Sequence, residues 1–238
     1  MTTKNTIFVQ IASYRDPQLI HTLNDMFANA DHQENLHITV CWQHGEEDDL
    51  SLFTDIGFTQ STLPKRDIAS LEINNAKIDG YHVLNREGAI LELVDIHFHK
   101  TQGACWARNT VQQFYTDEKY TLQLDSHHRF IKSWDTVLID MLESVRTETV
   151  PKPLLTAYVP SFDPENDPEG RTPQAWKMDF DRFIPEGAVF FIPAEIEGWQ
   201  NLTKPVTSRF YSGHFCFADG SFAVEVQHDP EYFFHGEE

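Results

Sequence analysis

The spacing of apolar positions changes from segment to segment along the first half of the chain and lays out alternating strands and helices. Ile7–Ala12 is a short apolar run, read as a strand, that ends on the polar turn Ser13-Tyr14-Arg15-Asp16-Pro17. Leu19, Ile20, Leu23, Met26 and Phe27 then recur at helical spacing. They predict a helix from about Pro17 to Ala30, with Asp16 and Pro17 as its N-cap and first-turn pair. His37–Trp42, rich in β-branched and aromatic residues, predicts a second strand. Residues 50–88 carry weak signals and read as irregular. Ala89–Phe98 predicts a third strand, and Gly103 opens a helix over Ala104–Tyr115. Tyr120–Leu124 predicts a fourth strand that stops abruptly on Asp125-Ser126-His127-His128. Trp134, Val137, Leu138, Met141 and Leu142 mark another amphipathic helix with Ser133 as N-cap, and Leu154–Val159 a fifth strand.

This order implies an α/β fold, a mainly parallel sheet with helices on both faces. Ligands on such sheets gather at the carboxyl ends of the strands, where Ser13–Asp16 and Asp125–His127 both fall. From Ser161 the pattern changes. A Pro, Gly and acid-rich loop, Asp163–Arg171, precedes strand signals at Ala188–Ile192, His214–Phe217 and Phe222–Val226. Asp219-Gly220 between the last two is a hairpin signal. The expectation is a strand-rich subregion closing over the first half.

Charge narrows the possible ligands. With 18 Lys and Arg against 37 Asp and Glu, the formal net charge is −19. A field of that sign repels nucleic-acid phosphates and anionic lipid, but admits an anionic small ligand where a metal ion or local cations reverse it. No apolar run approaches the roughly 20 residues that span a bilayer, and no signal-peptide core follows the N-terminus. Cys41, Cys105 and Cys216 lack CxxC spacing and read as buried free thiols of a reducing compartment. A cytoplasmic protein is expected.

Asp125-Ser126-His127 at a strand exit is the sharpest chemical feature. A carboxylate and an imidazole turned toward one ligand suit Mn²⁺ (or Mg²⁺) that also binds phosphate oxygens. Such an ion would neutralise a pyrophosphate and stabilise it as a leaving group. The bland alternative is an Asp capping a turn beside two surface histidines. The run Glu46-Glu47-Asp48-Asp49 reads as a solvated loop. His97 and His99 alternate on the third strand and stay outside the site. A metal hydrolase built on them with Asp125 and His127 lacks any HExxH spacing.

Gly103-Ala104-Cys105-Trp106-Ala107-Arg108-Asn109, a helix, and then Tyr120–His127 resemble the nucleotide-sugar-binding half of a GT-A (Rossmann-like) glycosyltransferase, with Asp125 and His127 as a D-x-H motif like that of the polypeptide GalNAc transferases. Ile11–Pro17, Trp106–Arg108, Leu122–Phe130, Trp134-Asp135 and Phe233–Glu238 are similar, in order, to the GlcNAc-transferase family that includes the cytosolic enzyme adding α-GlcNAc to hydroxyproline. The resemblance implies one GT-A domain over residues 1–238, with a nucleotide-sugar-binding half (1–160) and an acceptor-side half (161–238). It implies a metal-dependent, retaining transfer of GlcNAc or a related HexNAc from UDP to a hydroxyl on a protein or glycan.

Roles follow residue by residue from the same resemblance. Ser13, Tyr14, Arg15 and Asp16 would hold the uridine, with Tyr14 stacking on the base and Asp16 bonding base or ribose. Arg108 would reach the diphosphate or the sugar, its fork suiting phosphate. Asp125 and His127 would be metal ligands. Glu237 and Glu238, of a G-E-E motif, would line the acceptor side and bind donor hydroxyls or assist the acceptor. The chain stops on that motif, so the acceptor half is expected to be shortened at its C-terminus. A third metal ligand, a His, would then be missing unless His214, His228 or His235 replaces it. The alternative is a sugar-nucleotide-binding or interaction protein without turnover.

Overall fold

A computed structural model describes residues 4–62 and 72–232. In chain order the elements are β1 (Ile7–Tyr14), α1 (Leu19–Asn29), β2 (Leu36–His44), α2 (Ser51–Asp55), β3 (Thr59–Gln60), β4 (Glu72–Ile73), β5 (Ala76–Lys77), β6 (Gly80–Arg86) and β7 (Ala89–His97). There follow α3 (Ala104–Gln112), β8 (Tyr120–Asp125), α4 (Trp134–Val145), β9 (Leu154–Thr156), β10 (Trp176–Phe183), β11 (Val189–Glu195), β12 (Phe215–Asp219) and α5 (Phe222–Glu225).

Eight strands form one sheet in the order β3-β6-β7-β2-β1-β8-β12-β9. β7, β2, β1 and β8 are parallel neighbours. Their continuous apolar runs fit a position covered on both faces. Alternate residues of β1 serve the two faces. Val9 and Ile11 pack with Leu23 and Phe27 of α1 and Trp134 and Leu142 of α4. Phe8 packs on the other side with Trp106, Ala107 and Val111 of α3. Each fully buried side chain of this size contributes about 1.5–3 kcal/mol. The fold is thus α/β and Rossmann-like, consistent with GT-A, with its central sheet pinned between helices on both faces.

The flanks depart from the sequence reading. β6 and β3 on one side, and β12 on the other, run antiparallel to their neighbours, so the sheet is mixed. Residues 50–88, read as irregular, hold α2 and four strands among the described residues. β6 was obscured because only Tyr81, Val83 and Leu84 are apolar and buried there; its register comes from pairing along β7. β10 carried no recognised signal, and pairs with β11 in a separate ribbon.

Two other local expectations fail for identifiable reasons. The hairpin at Asp219-Gly220 is absent, because Phe222–Glu225 forms a helical turn. Gly220 is instead a close-approach residue. Its amide donates to the Lys119 carbonyl, and a Cβ there would stand 1.8 Å from the Glu118 carbonyl oxygen. After the turn the chain runs back over α3, where Gln112 and Asn109 donate to the Val226 and His228 carbonyls. Ser133 does not cap α4 with its side chain; it adopts φ 62° and donates to Asp31 instead.

Candidate active site

β1 sits between β2 and β8, so the chain order reverses beside it, and its carboxyl end is the crevice where such sheets hold ligands. Ala12 pairs with Asp125, which brings the exits of β1 and β8 level. The polar clusters singled out in the sequence therefore meet.

Asp16 is the junction. One carboxylate oxygen, Oδ1, accepts the Gln18 amide at 2.8 Å, closing the turn into α1. The other, Oδ2, accepts Ser126 Oγ at 2.6 Å and His127 Nδ1 at 2.8 Å. Partial burial pushes this carboxyl upward, but the bonds from His127, Ser126 and Gln18 outweigh it and hold it at about 2. The same bond raises His127 above its ordinary value, against a smaller opposing effect of burial.

The Asp125–His128 turn is fixed from beneath. Thr22 of α1 donates to the Ser126 carbonyl at 2.7 Å and accepts the His128 amide at 2.9 Å. His128 donates Nδ1–H to the Asp125 carbonyl, and burial pulls its imidazole down to about 4, so it stays neutral. Arg129 ties the turn to the start of α1 through Gln18, and to Asp167.

Arg108 rises from α3 on the opposite face and donates to Asp125 Oδ1 at 2.9 Å. The guanidinium is almost wholly buried, so a fixed positive charge stands behind the carboxylate. The second Asp125 oxygen lies 3.9 Å from His127 Nε2. One oxygen and one ring nitrogen thus face each other, while their companion atoms are held by Arg108 and Asp16. That donor set fits a divalent ion, with Asp16 as the carboxylate that orients a histidine ligand. Among the described residues, no three His, Cys, Asp or Glu side chains converge as metal ligands.

Neither His214 nor His228 joins Asp125 and His127 as a third ligand. His214 accepts the Val159 amide on Nε2. His228 donates Nε2–H to Gln123, with Nδ1 at 3.8 Å from Cys105 Sγ; burial, and then the nearby Arg108 charge, depress it to about 4. His235 lies outside the described residues, as do Glu237 and Glu238.

The other residues of the first cluster divide. Ser13 is buried, its carbonyl accepting from Gln43. Arg15 adopts φ 48°, and its amide donates to the Gln43 carbonyl. This left-handed turn points the following residues back across β8. Tyr14 is exposed and meets Phe98 edge-on, and the Arg15 guanidinium lies 4.5 Å over the same Phe98 ring. Sequence reading missed Phe98, which follows β7, because only the pairing of β7 with β2 and of β2 with β1 brings it near Tyr14. Ser126 was passed over as the spacer of the motif, although it holds Asp16. The three cysteines are buried free thiols, as expected.

A mixed α/β sheet thus carries a carboxylate–imidazole–guanidinium cluster at its reversal point. Comparison with protein-family models then matches residues 6–238 to the family described as glycosyltransferase (GlcNAc), and the chain belongs to that family. It is a glycosyltransferase by that membership. A search of curated proteins finds no match. No helix among the described residues is long and apolar enough to cross a membrane.

Proposed function

We propose that the chain moves GlcNAc, or a related HexNAc, from a UDP-sugar to a hydroxyl of a protein or glycan, with a divalent metal and with retention of anomeric configuration. The observation that carries this reading is the convergence of Asp16, Arg108, Asp125 and His127 at the neighbouring exits of β1 and β8 in a chain of this family. Asp125, through the oxygen Arg108 leaves, and His127, through Nε2, would hold Mn²⁺ or Mg²⁺, and a bound ion supplies positive charge to a departing diphosphate.

The chain's own residues do the rest. Tyr14 and Phe98 offer an aromatic edge for the uracil ring, and Arg15 a cation beside it. Arg108 holds one oxygen of Asp125 and adds positive charge to a site inside an acidic protein. Asp16 orients His127 through Nδ1. Transfer forms a bond from the acceptor oxygen to the anomeric carbon and breaks that carbon's bond to the diphosphate oxygen. The acceptor proton passes to the leaving phosphate. No side chain among the described residues is assigned as a covalent nucleophile.

The test is release of UDP from UDP-GlcNAc with Mn²⁺, followed with wild type and Asp125→Ala. The expected result is turnover in wild type and at least a 100-fold loss in the variant. No release by wild type, or release unchanged in the variant, overturns the reading.

A further inference from the structure

A cavity of about 780 Å³ beside Asp125 and His127 has α4 on one side and segment 158–173 on the other. Four alternating charges tie that segment to the strand-exit cluster. Asp167 lies between two guanidinium groups, Arg129 Nε donating to Oδ2 at 2.7 Å and Arg171 Nε to Oδ1 at 2.5 Å. Arg171 then reaches Asp25 of α1 at 3.1 Å. Arg129 stands two residues beyond His127 with its side chain only 7% exposed, and its guanidinium carbon lies 4.3 Å from the centre of the Phe162 ring.

The network closes on the backbone that follows His127. The Phe130 amide donates to Asp25 Oδ2 at 2.6 Å, and the Phe130 carbonyl accepts from Arg171 at 3.2 Å. Arg129 also donates to Gln18 at 2.6 Å, on the turn from which Asp16 holds His127. Ser126 and His128 rest on Thr22 of α1. Residues 129 and 130, in contrast, are held by side chains 38 and 41 residues further along the chain.

A lone exposed ion pair would contribute little here. Asp167 does more, because one partly buried carboxylate serves two forks at once. Without its charge, two guanidinium groups would face each other and repel. Arg129 could then shift, and the backbone on either side of it with it.

We propose that Asp167 is a positioning residue of the transfer site: by joining Arg129 to Arg171 it holds residues 128–130, and through them the Asp125 and His127 pair, in the geometry that receives the metal ion. Segment 158–173 is then part of the frame that sets this pair. The inference deepens the transferase reading above and rests on it.

The experiment uses the full chain. Mn²⁺ affinity in the presence of UDP is followed by electron paramagnetic resonance of the free ion, the His127 ring by its ¹⁵N shifts, and folding by thermal unfolding. The variants are Asp167→Asn and Arg171→Gln, the second carrying the test if the first does not fold. Asp219→Asn is the stability control. Asp219 pairs with Arg146 at 2.6 Å and lies beside Tyr120, at the other end of β8 from Asp125. All three variants are expected to unfold at a lower temperature than wild type. Mn²⁺ affinity is expected to fall about fivefold or more in Asp167→Asn and Arg171→Gln, with the His127 signals displaced, and to keep its wild-type value in Asp219→Asn. Affinity unchanged in the two network variants, or reduced as much in Asp219→Asn, overturns the positioning role. A wild type that takes up no Mn²⁺ with UDP overturns the transferase reading itself, and shows this before any substitution is made.

Discussion

Asp16 Oδ2 accepts a hydrogen bond from His127 Nδ1 at 2.8 Å, so the exit of β1 sets the ring of the histidine at the exit of β8. The consequence is directional. With Nδ1 committed as a donor, Nε2 is the ring nitrogen left on the side of Asp125. The family resemblance puts Asp16 on uridine; in the structure its oxygens also serve protein donors, and through Oδ2 it orients His127.

Replacing Asp16 by Ala removes the acceptor that fixes His127, and replacing it by Asn, with Oδ1 kept on the Gln18 amide, turns an NH2 donor toward the ring. Loss of such an outer partner typically costs about 10–100-fold in metal affinity. Mn²⁺ affinity in the presence of UDP, followed by electron paramagnetic resonance of the free ion, is expected to fall by that amount in both variants. The ¹⁵N shifts of the His127 ring are expected to change tautomer pattern. Unchanged affinity and shifts would contradict the role.

Arg108 is nearly fully buried and Asp125 about 29% exposed, so the pair is neither a surface bridge nor a fully dry one. Truncating one member of a buried pair costs roughly 3–5 kcal/mol, and the partial exposure of Asp125 puts Arg108→Ala near the lower end. Chemical denaturation measures it. Arg108→Lys is expected to recover part of the stability but less of the UDP affinity, because a single ammonium replaces a fork.

Tyr14 and Phe98 make an edge-on pair at the mouth of the crevice. If a uracil ring uses it, each Ala replacement loses about 1–3 kcal/mol of stacking. Titration with UDP is expected to show a Kd raised about 5- to 150-fold in Tyr14→Ala or Phe98→Ala. Uridine is expected to show the same proportional loss, and inorganic pyrophosphate none.

At the opposite end of the sheet, buried His37 donates to Glu118 at 2.5 Å and to Glu92 at 2.6 Å. Burial alone would lower its pKa, but the two carboxylates raise it from the ordinary 6.5 to about 8. A raised folded-state value means the stabilisation is complete below about pH 6.5 and lost as pH climbs through about 8. Its size is about 2 kcal/mol, counted once for the whole cluster. Unfolding free energy measured between pH 6 and 9 is expected to fall over that interval, and His37→Gln to flatten the fall. A fall of equal size in the variant would contradict it.

Much of this was legible from the sequence where patterns are local. The apolar run of β1, the helical spacing of α1 and the abrupt stop of β8 at Asp125 are each set within a few residues. The meeting of Asp16 with His127 was not, since it depends on the register Ala12–Asp125 across two strands 113 residues apart. β6 and Phe98 were missed for the same reason, because long-range pairing defines them. Phe222–Glu225 misled through its alternating side chains, which tertiary contact with α3 overrode. The apolar stripe of α4 was seen, but only the structure shows part of it lining a cavity.

The most direct test of the central claim is a calorimetric titration of UDP into the protein at fixed Mn²⁺, repeated without metal and with Asp125→Ala. Metal-dependent binding that weakens at least tenfold in the variant is expected. No binding, or binding indifferent to both Mn²⁺ and Asp125, would contradict a donor site at the β1 and β8 exits.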